Sequence, residues 1–465
     1  MSGNHPPEQN TPDYPRKPAA GRGARLLHSG AVFVIVSVIA AALFTAFVRS
    51  DLPVLGGTRG TPSSPGAAPA SSVSPSATTS SAMASATPTA TLPTPPPSTA
   101  GPPPGTTPVP SPRPTHAPPA VPTPEQQLAA LDMKERVGQL FMVAANAGGS
   151  DAHVVAGLLG GQHIGSIYLA GRSQAGVAAT AAVVGSLRTA ARQLGNTVPL
   201  SVATDQEGGY VQVLRGPGFS EIPTALAQTA YSPAQLRAQA GIWGAELLRA
   251  GVNVDLAPVL DTVPGAAFAP SNAPIGYFQR EYGYTPGAVS AYGNAFAAGL
   301  RDSGVAPVVK HYPGLGRVTL NTDVSSNVRD TATTRNDPYL APFTAAIRNG
   351  TRWVMVSNAY YNLIDSTRPA PFSPVVMGTM LRSDAGFTGV IVSDDLCNAA
   401  QLAPWSVGER AGNFIAAGGT MVLCANTGYI PAMVNEVLRR ATAEPAFRRA
   451  VDAAALTVLR VKAGQ

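Results

Sequence analysis

The run VAPVVKHYPG, residues 305–314, is apolar until it meets Lys310 and His311, and it then turns on Pro313 and Gly314. Seven other stretches share this build: FMVAAN from 141, IGSIYLAG from 164, LSVATDQE from 200, VNVDLAPVLD from 252, WVMVSNAYY from 353, GVIVSDDL from 389 and TMVLCAN from 420. Each is short and ends in small or polar residues. Ala-rich helical stretches lie between several of them, such as SPAQLRAQAGIWGAELLRAG and PYLAPFTAAIRNG. Apolar strands alternating with helices imply parallel pairing, because a parallel sheet is covered on both faces. Eight units predict an α/β fold, a (β/α)8 barrel of the TIM type; an open doubly wound sheet is the alternative. In the barrel, functional residues gather at the C-terminal ends of the strands. Those ends read Asp205-Gln206-Glu207, Asp255 to Asp261, Lys310-His311, Ser357-Asn358 and Asp394-Asp395.

Upstream, the composition changes at Pro124. The chain has 465 residues with 12% charged, 45 Pro and 47 Gly, averages that mix unlike regions. Its formal charge of +6 is scattered, without the long Lys/Arg tract of a nucleic-acid binder. Residues 1–29 are a basic tail with Arg16, Lys17, Arg22 and Arg25, followed by the uncharged run GAVFVIVSVIAAALFTAFV at 30–48. As a helix this run rises about 28 Å, close to the hydrocarbon thickness of a bilayer. A cleaved signal peptide is the rival reading, but signal cores are shorter, about 7–15 residues, and end in a small-residue cleavage site. The expectation is a retained single-pass anchor with a cytoplasmic N-terminus and everything after residue 49 outside the membrane; secretion after cleavage is the alternative. Residues 49–123, nearly all Pro, Ser, Thr, Ala and Gly, are expected to form a disordered linker, because they bury too little apolar surface to offset ordering entropy.

Residues 124–465 have the composition of one globular domain. LDMKERVGQLFMV reads as a helix start with Asp132 as N-cap and Glu135 three residues later, and Val137, Leu140 and Phe141 recur at helical spacing. SDDL at 393–396 ends a strand with two carboxylates. Strand alternation lets only one of them face a pocket, where it would serve as nucleophile, while the other is structural; a helix-capping pair is the bland alternative. DQEGGYVQ at 205–212 sets two acids beside a Gly-Gly turn that lets the backbone approach a ligand. Lys310-His311 taken alone reads as a solvated loop. A P-loop, a GxSxG elbow and a His/Cys cluster with metal-ligand spacing are all missing, so no metal or cofactor is expected.

The order of these stretches resembles glycoside hydrolase family 3, specifically its single-domain bacterial β-N-acetylhexosaminidases. The carriers are KERVGQLFMV, DQEGG at 205, NVDLAPVLD at 253, GYFQREYG at 276 for the family's Arg-Ser-Phe-Gly-like loop, KHYPGLG at 310 for Lys-His-Phe-Pro-Gly-His-Gly, YLAPF at 339, and SDDL. The resemblance independently implies the barrel and Asp394 as nucleophile. It also implies that Asp205, Arg280, Lys310 and His311 hold sugar hydroxyls, for which charged donors and acceptors are suited.

The chain departs from the family in the loop after KHYPGLG, which usually closes on Asp-Ser-His. Those positions fall on Asn321, Thr322 and Asp323, so the acid/base His is replaced by Asp323 and its orienting partner by Asn321. Leu315 replaces the first loop His, Tyr210 and Val213 stand where two arginines are usual, and Asn358 stands where a His usually ends its strand. A retaining glycosidase needs a second carboxyl to protonate the leaving oxygen, and Asp323 is the candidate. Two readings follow. One is a membrane-anchored, extracellular glycosidase that cleaves terminal β-linked N-acetylhexosamine from cell-wall or chitin-type oligosaccharides. The other is a carbohydrate-binding relative without turnover. The altered arginine positions also leave a β-glucosidase open, and oligomeric state is open too, with a monomer compatible. Cys397 and Cys424, just beyond the seventh strand and at the end of the eighth, can bridge, since adjacent strands lie about 4.8 Å apart; two free buried thiols are the alternative.

Overall fold

A computed structural model describes residues 121–464. The basic tail, the 30–48 anchor and the linker as far as residue 120 lie outside the described residues. Among the described residues no helix is long and apolar enough to cross a membrane.

The eight apolar runs are eight parallel strands. They are β1 Phe141–Asn146, β2 Ser166–Ala170, β3 Ser201–Thr204, β4 Val254–Asp255, β5 Ala306–Tyr312, β6 Trp353–Val356, β7 Val390–Ser393 and β8 Val422–Cys424. They pair in the order β7-β6-β5-β4-β3-β2-β1-β8. The two ends of this sheet meet at a parallel bridge between Val392 and Met421. Backbone bonds from Ser393 N–H to Met421 O and from Leu396 N–H to Leu423 O reinforce the seam. A sheet joined to itself is a barrel, and the open doubly wound alternative falls.

The α-helices of six or more residues are α1 Pro124–Ala130, α2 Met133–Gly138, α3 Ala152–Gly161, α4 Gly176–Gln193, α5 Pro233–Arg249, α6 Pro286–Asp302, α7 Ala341–Arg348, α8 Val407–Ala416, α9 Ile430–Ala443 and α10 Pro445–Lys462. Capping boxes start α1 (Thr123 with Gln126), α2 (Asp132 with Glu135), α5 (Ser232 with Gln235) and α8 (Ser406 with Glu409). Such a cap contributes about 1 kcal/mol by pairing N–H groups that a helix start leaves free. Between β6 and β7 the crossover is a wide π-type helix, Val375–Asp384, closed by Ala385 N–H to Met380 O. Helices α5 and α6 pack closely because a Cβ at Gly244 would meet the Ser303 hydroxyl, and one at Gly299 would meet the Arg237 carbonyl.

One sequence expectation needs correction. Helix α2 stops at Gly138, and Leu140 and Phe141 lie beyond it, with Phe141 opening β1. A Cβ at Gly138 would strike the carbonyls of Gln162 and His163, so the chain here lies tight against the approach to β2. Tertiary packing overrides the helical spacing.

Register explains what the barrel presents at its top. Ala144, Tyr168, Ala203, Val254 and Ala306 are successive partners across β1 to β5. Register partners share a face, and side chains two apart along a strand share it too. Asp205 is two residues past Ala203 and meets Lys310, which is two past Val308, so this face is the barrel interior. Polar ends of β3 and β5 thus stand directly above an apolar layer.

Cys397 and Cys424 are joined in a disulfide, with Cα atoms 5.1 Å apart. The bond closes a loop of sequence separation 27, for which chain-entropy arguments give about 3–4 kcal/mol of stabilisation. Denatured without reductant, the protein should expose no thiol to Ellman's reagent, and Cys397→Ala/Cys424→Ala should lower unfolding stability by about that amount. Two reactive thiols per chain would refute the pairing.

Candidate active site

Strand β5 delivers the first side chains. Lys310 is 2% exposed, and its Nζ lies 2.5 Å from Asp205 Oδ1 and 2.6 Å from Glu207 Oε1. Glu207 also receives a bidentate pair from Arg280, at 2.8 Å from Nε and 2.7 Å from Nη2. Burial alone would raise the Glu207 pKa, but Arg280 and Lys310 outweigh it and bring it to about 2. Lys310 is likewise opposed by burial, yet Asp205 and Glu207 hold it above its usual value, so it stays an ammonium. Burial is the first cause pushing Asp255 far up, with the charges of Asp205 and Glu207 adding to it against Lys310. One Asp255 oxygen accepts the Gln206 N–H at 3.0 Å, and the other has no partner among the described residues. Burial thus favours the neutral form of Asp255, while Lys310 and Arg280 face Asp205 and Glu207 in this cluster.

His311 is held from the other side. Its Nδ1 lies 2.7 Å from Asp261 Oδ2, and Asp261 Oδ1 accepts the backbone N–H groups of His311 and Leu315. With Nδ1–H donated to a carboxylate, Nε2 is left as an acceptor, 3.5 Å from Arg280 Nη2. Asp261 thus fixes both the ring and the start of the loop that follows. Asn272 continues the restraint by donating to the carbonyls of Leu315 and Val318.

Strand β7 ends at Ser393, and the two acids separate as alternation requires. Asp395 turns into backbone: its Oδ1 accepts from Cys397 and Ala425, and its Oδ2 from Asn398. Burial raises its pKa to about 6 against those three N–H donors, and Asp323 adds to the rise. Asp394 Oδ1 accepts only its neighbour's N–H, at 2.9 Å, and no ion pair holds it among the described residues. Asn358 at the end of β6 donates to the Asp395 carbonyl, at 3.1 Å. Asp395, Cys397 and Cys424 bring donor atoms within 4.8 Å of one another, but the sulfurs are spent in the disulfide and offer no thiolate to a metal.

The loop carrying Asn321, Thr322 and Asp323 docks on the turn after β7. Ala400 N–H donates to Asp323 O and Gln401 N–H to Thr322 O, both at 3.1 Å. The Gln401 side chain clamps both backbone groups of Val328. Asn321 acts through the backbone, with its Oδ1 accepting the Asp323 N–H at 3.0 Å. Asp323 is half-buried, and its charge reaches Asp395.

Tyr168 joins the two halves of the site. Burial, followed by the carboxylates of Asp395, Asp205, Asp394 and Asp323, drives its phenol far above the usual tyrosine range. One buried hydroxyl therefore feels the acids of β3, of β7 and of the loop after β5. The structure thus gathers Asp205, Arg280, Lys310 and His311 into one cluster and brings Asp394 and Asp323 to the same mouth. Four members have no individual role from sequence: Glu207, Asp255 and Asp261, which stand among the strand-end residues, and Tyr168, which does not. Glu207 had a signal, lying two residues after Asp205 and so on the same face.

The chain matches the glycosyl hydrolase family 3 N-terminal domain over residues 132–461. It is similar to a β-N-acetylhexosaminidase structure from Beutenbergia cavernae, at 49% identity and a TM-score of 0.71, covering 72% of this chain and 99% of that one. A β-hexosaminidase of Methylococcus capsulatus is 35% identical over 257 residues, 54% of this chain and 74% of that protein. The β-hexosaminidase LpqI of Mycobacterium tuberculosis is 30% identical over 347 residues, 72% of this chain and 84% of that protein. With its barrel, its strand-end acids and these matches, the chain belongs to glycosyl hydrolase family 3 and is a glycosidase.

Proposed function

We propose that the protein is a retaining β-N-acetylhexosaminidase that removes terminal β-linked N-acetylhexosamine. The observation that carries this reading is the pairing of a charged clamp (Asp205, Glu207, Arg280 and Lys310) with Asp394, a carboxylate with no ion pair among the described residues, across one barrel mouth. The clamp holds the outer hydroxyls of a pyranose and leaves its C1 over Asp394. A carboxylate oxygen of Asp394 forms a bond to C1 as the bond to the leaving oxygen breaks and Asp323 transfers its proton to that oxygen. Asp323 then takes a proton from water, whose oxygen displaces Asp394 and restores the original anomeric configuration. His311, oriented by Asp261, adds an acceptor beside Arg280.

The relatives' names support the N-acetyl sugar. The uncharged 30–48 run behind a basic tail supports a membrane anchor with the barrel outside, and the disulfide suits that oxidising side. Cell-wall or chitin-type oligosaccharides are the substrates such a position offers. Comparing 4-nitrophenyl β-N-acetylglucosaminide with the β-glucoside tests the sugar: kcat/KM should favour the former at least about tenfold, the scale of one well-placed polar contact. Preference for the glucoside would overturn the reading. Product anomers followed by NMR should show the β form first; initial α product would overturn retention.

A further inference from the structure

We propose that the Tyr168 hydroxyl is a substrate-contacting group that donates a hydrogen bond to one substituent oxygen of the pyranose, from the floor of the subsite. This rests on the preceding reading of the clamp and Asp394 as the sugar site.

The observations begin with register. Tyr168 stands in the interior layer between Ala144 on β1 and Ala203 on β3, its direct partners, with Val254 and Ala306 beyond. It is the one aromatic ring in that row. Two alanines beside it leave room for the ring, and Ala170, the next inward residue on its own strand, is too small to cover it. Its long side chain therefore rises from the layer beneath the site toward the layer of Asp205, which stands two residues past Ala203.

Only 7% of Tyr168 is exposed. A buried phenol normally finds a hydrogen-bond partner, because leaving it unpaired forfeits its hydration. This hydroxyl has no hydrogen-bond partner among the described residues, yet it is not sealed among the buried unpaired atoms either. Its interior register places it below the layer of Asp205 and Lys310, on the side of the barrel mouth. The acids named around it span the site: Asp205 belongs to the clamp, while Asp394, Asp395 and Asp323 belong to the reacting end. Burial first, and those charges after it, favour the protonated phenol, so it is a donor among carboxylate acceptors. A sugar held by the clamp with C1 at Asp394 lies across it.

The test pairs Tyr168→Phe with deoxy substrates. Phe keeps the ring, so the melting temperature should be unchanged. On an aryl β-N-acetylglucosaminide the variant should lose about tenfold to a hundredfold in kcat/KM, the range for one donor lost from a desolvated site. The loss should vanish for one analogue among the 3-, 4- and 6-deoxy sugars and the sugar without its 2-acetamido group, because that substrate already lacks the partner oxygen. The same factor on every analogue, or no loss on the parent, would overturn the proposal. A wild-type protein that turns over none of these sugars would instead overturn the reading of the subsite on which it rests.

Discussion

Asp394→Ala should lower kcat by at least about 10⁴-fold on every β-glycoside while leaving the melting temperature in place, the scale seen when a covalent nucleophile is removed. The size of the effect follows from what Asp394 does not do. Its carboxylate carries no ion pair among the described residues and makes a single bond to its neighbour's N–H, so removing it breaks no framework. Asp395 is the reverse case. Its oxygens accept from Cys397, Asn398 and Ala425, stitching the turn after β7 to the end of β8 beside the disulfide. Asp395→Asn keeps one acceptor oxygen for Cys397 and Ala425 and loses only the longest bond. It should therefore retain activity within about tenfold, the worth of one neutral hydrogen bond. The wild-type carboxyl titrates near pH 6, above its usual value. Its contribution to stability is therefore full below the ordinary Asp range and lost as pH rises through about 6, and Asn should remove that slope. If Asp394→Ala keeps near wild-type turnover, or if Asp395→Asn is the more damaging of the two, the assignment of roles is wrong.

The eight strands were readable because each is buried on both faces and so runs apolar without alternation, bounded by polar ends. Their lengths were less readable. The run VNVDLAPVLD yields only Val254–Asp255 as β4, because Pro258 has no N–H to give the ladder, and pairing resumes at a single bridge from Val259 to Lys310. Among the site residues, those at strand ends could be found by position and alternation. What they are paired with could not. Asp261 serves His311 across 50 residues of chain, and Arg280 reaches Glu207 across 73, contacts that exist only once β3, β4 and β5 are neighbours. Tyr168 had no local signal at all: in IGSIYLAG it reads as one more core aromatic. Its distinction lies in the two alanines beside it, which belong to other strands.

Asp323→Ala should sort substrates by their leaving groups. With a poor leaving group, such as a second sugar, the departing oxygen needs a proton, and losing the acid should cost about 10²–10⁴-fold in kcat/KM. With an activated aryl group, whose oxygen leaves unprotonated, glycosylation should change by less than about tenfold, and hydrolysis of the glycosyl-enzyme should become limiting because its base is gone. Backbone contacts hold the loop in place beside the turn after β7. Thr322 and Asp323 each offer a carbonyl to the turn after β7, six and seven residues past Asp394 on that strand's path, and Asn321 fixes the Asp323 N–H. The charge of Asp323 acts on Asp395, the neighbour of Asp394, and on Tyr168. Azide separates the two acids by stereochemistry. In Asp323→Ala, azide needs no base and attacks the glycosyl-enzyme that Asp394 has formed, so turnover of the aryl substrate should recover and the product should be the β-glycosyl azide. In Asp394→Ala no such intermediate exists, and azide entering the vacated space displaces the aryl group directly, giving the α-glycosyl azide. An α product from Asp323→Ala would exchange the two roles. Equal loss on poor and activated leaving groups, with no azide rescue, would make Asp323 a residue of the loop's architecture and not its acid.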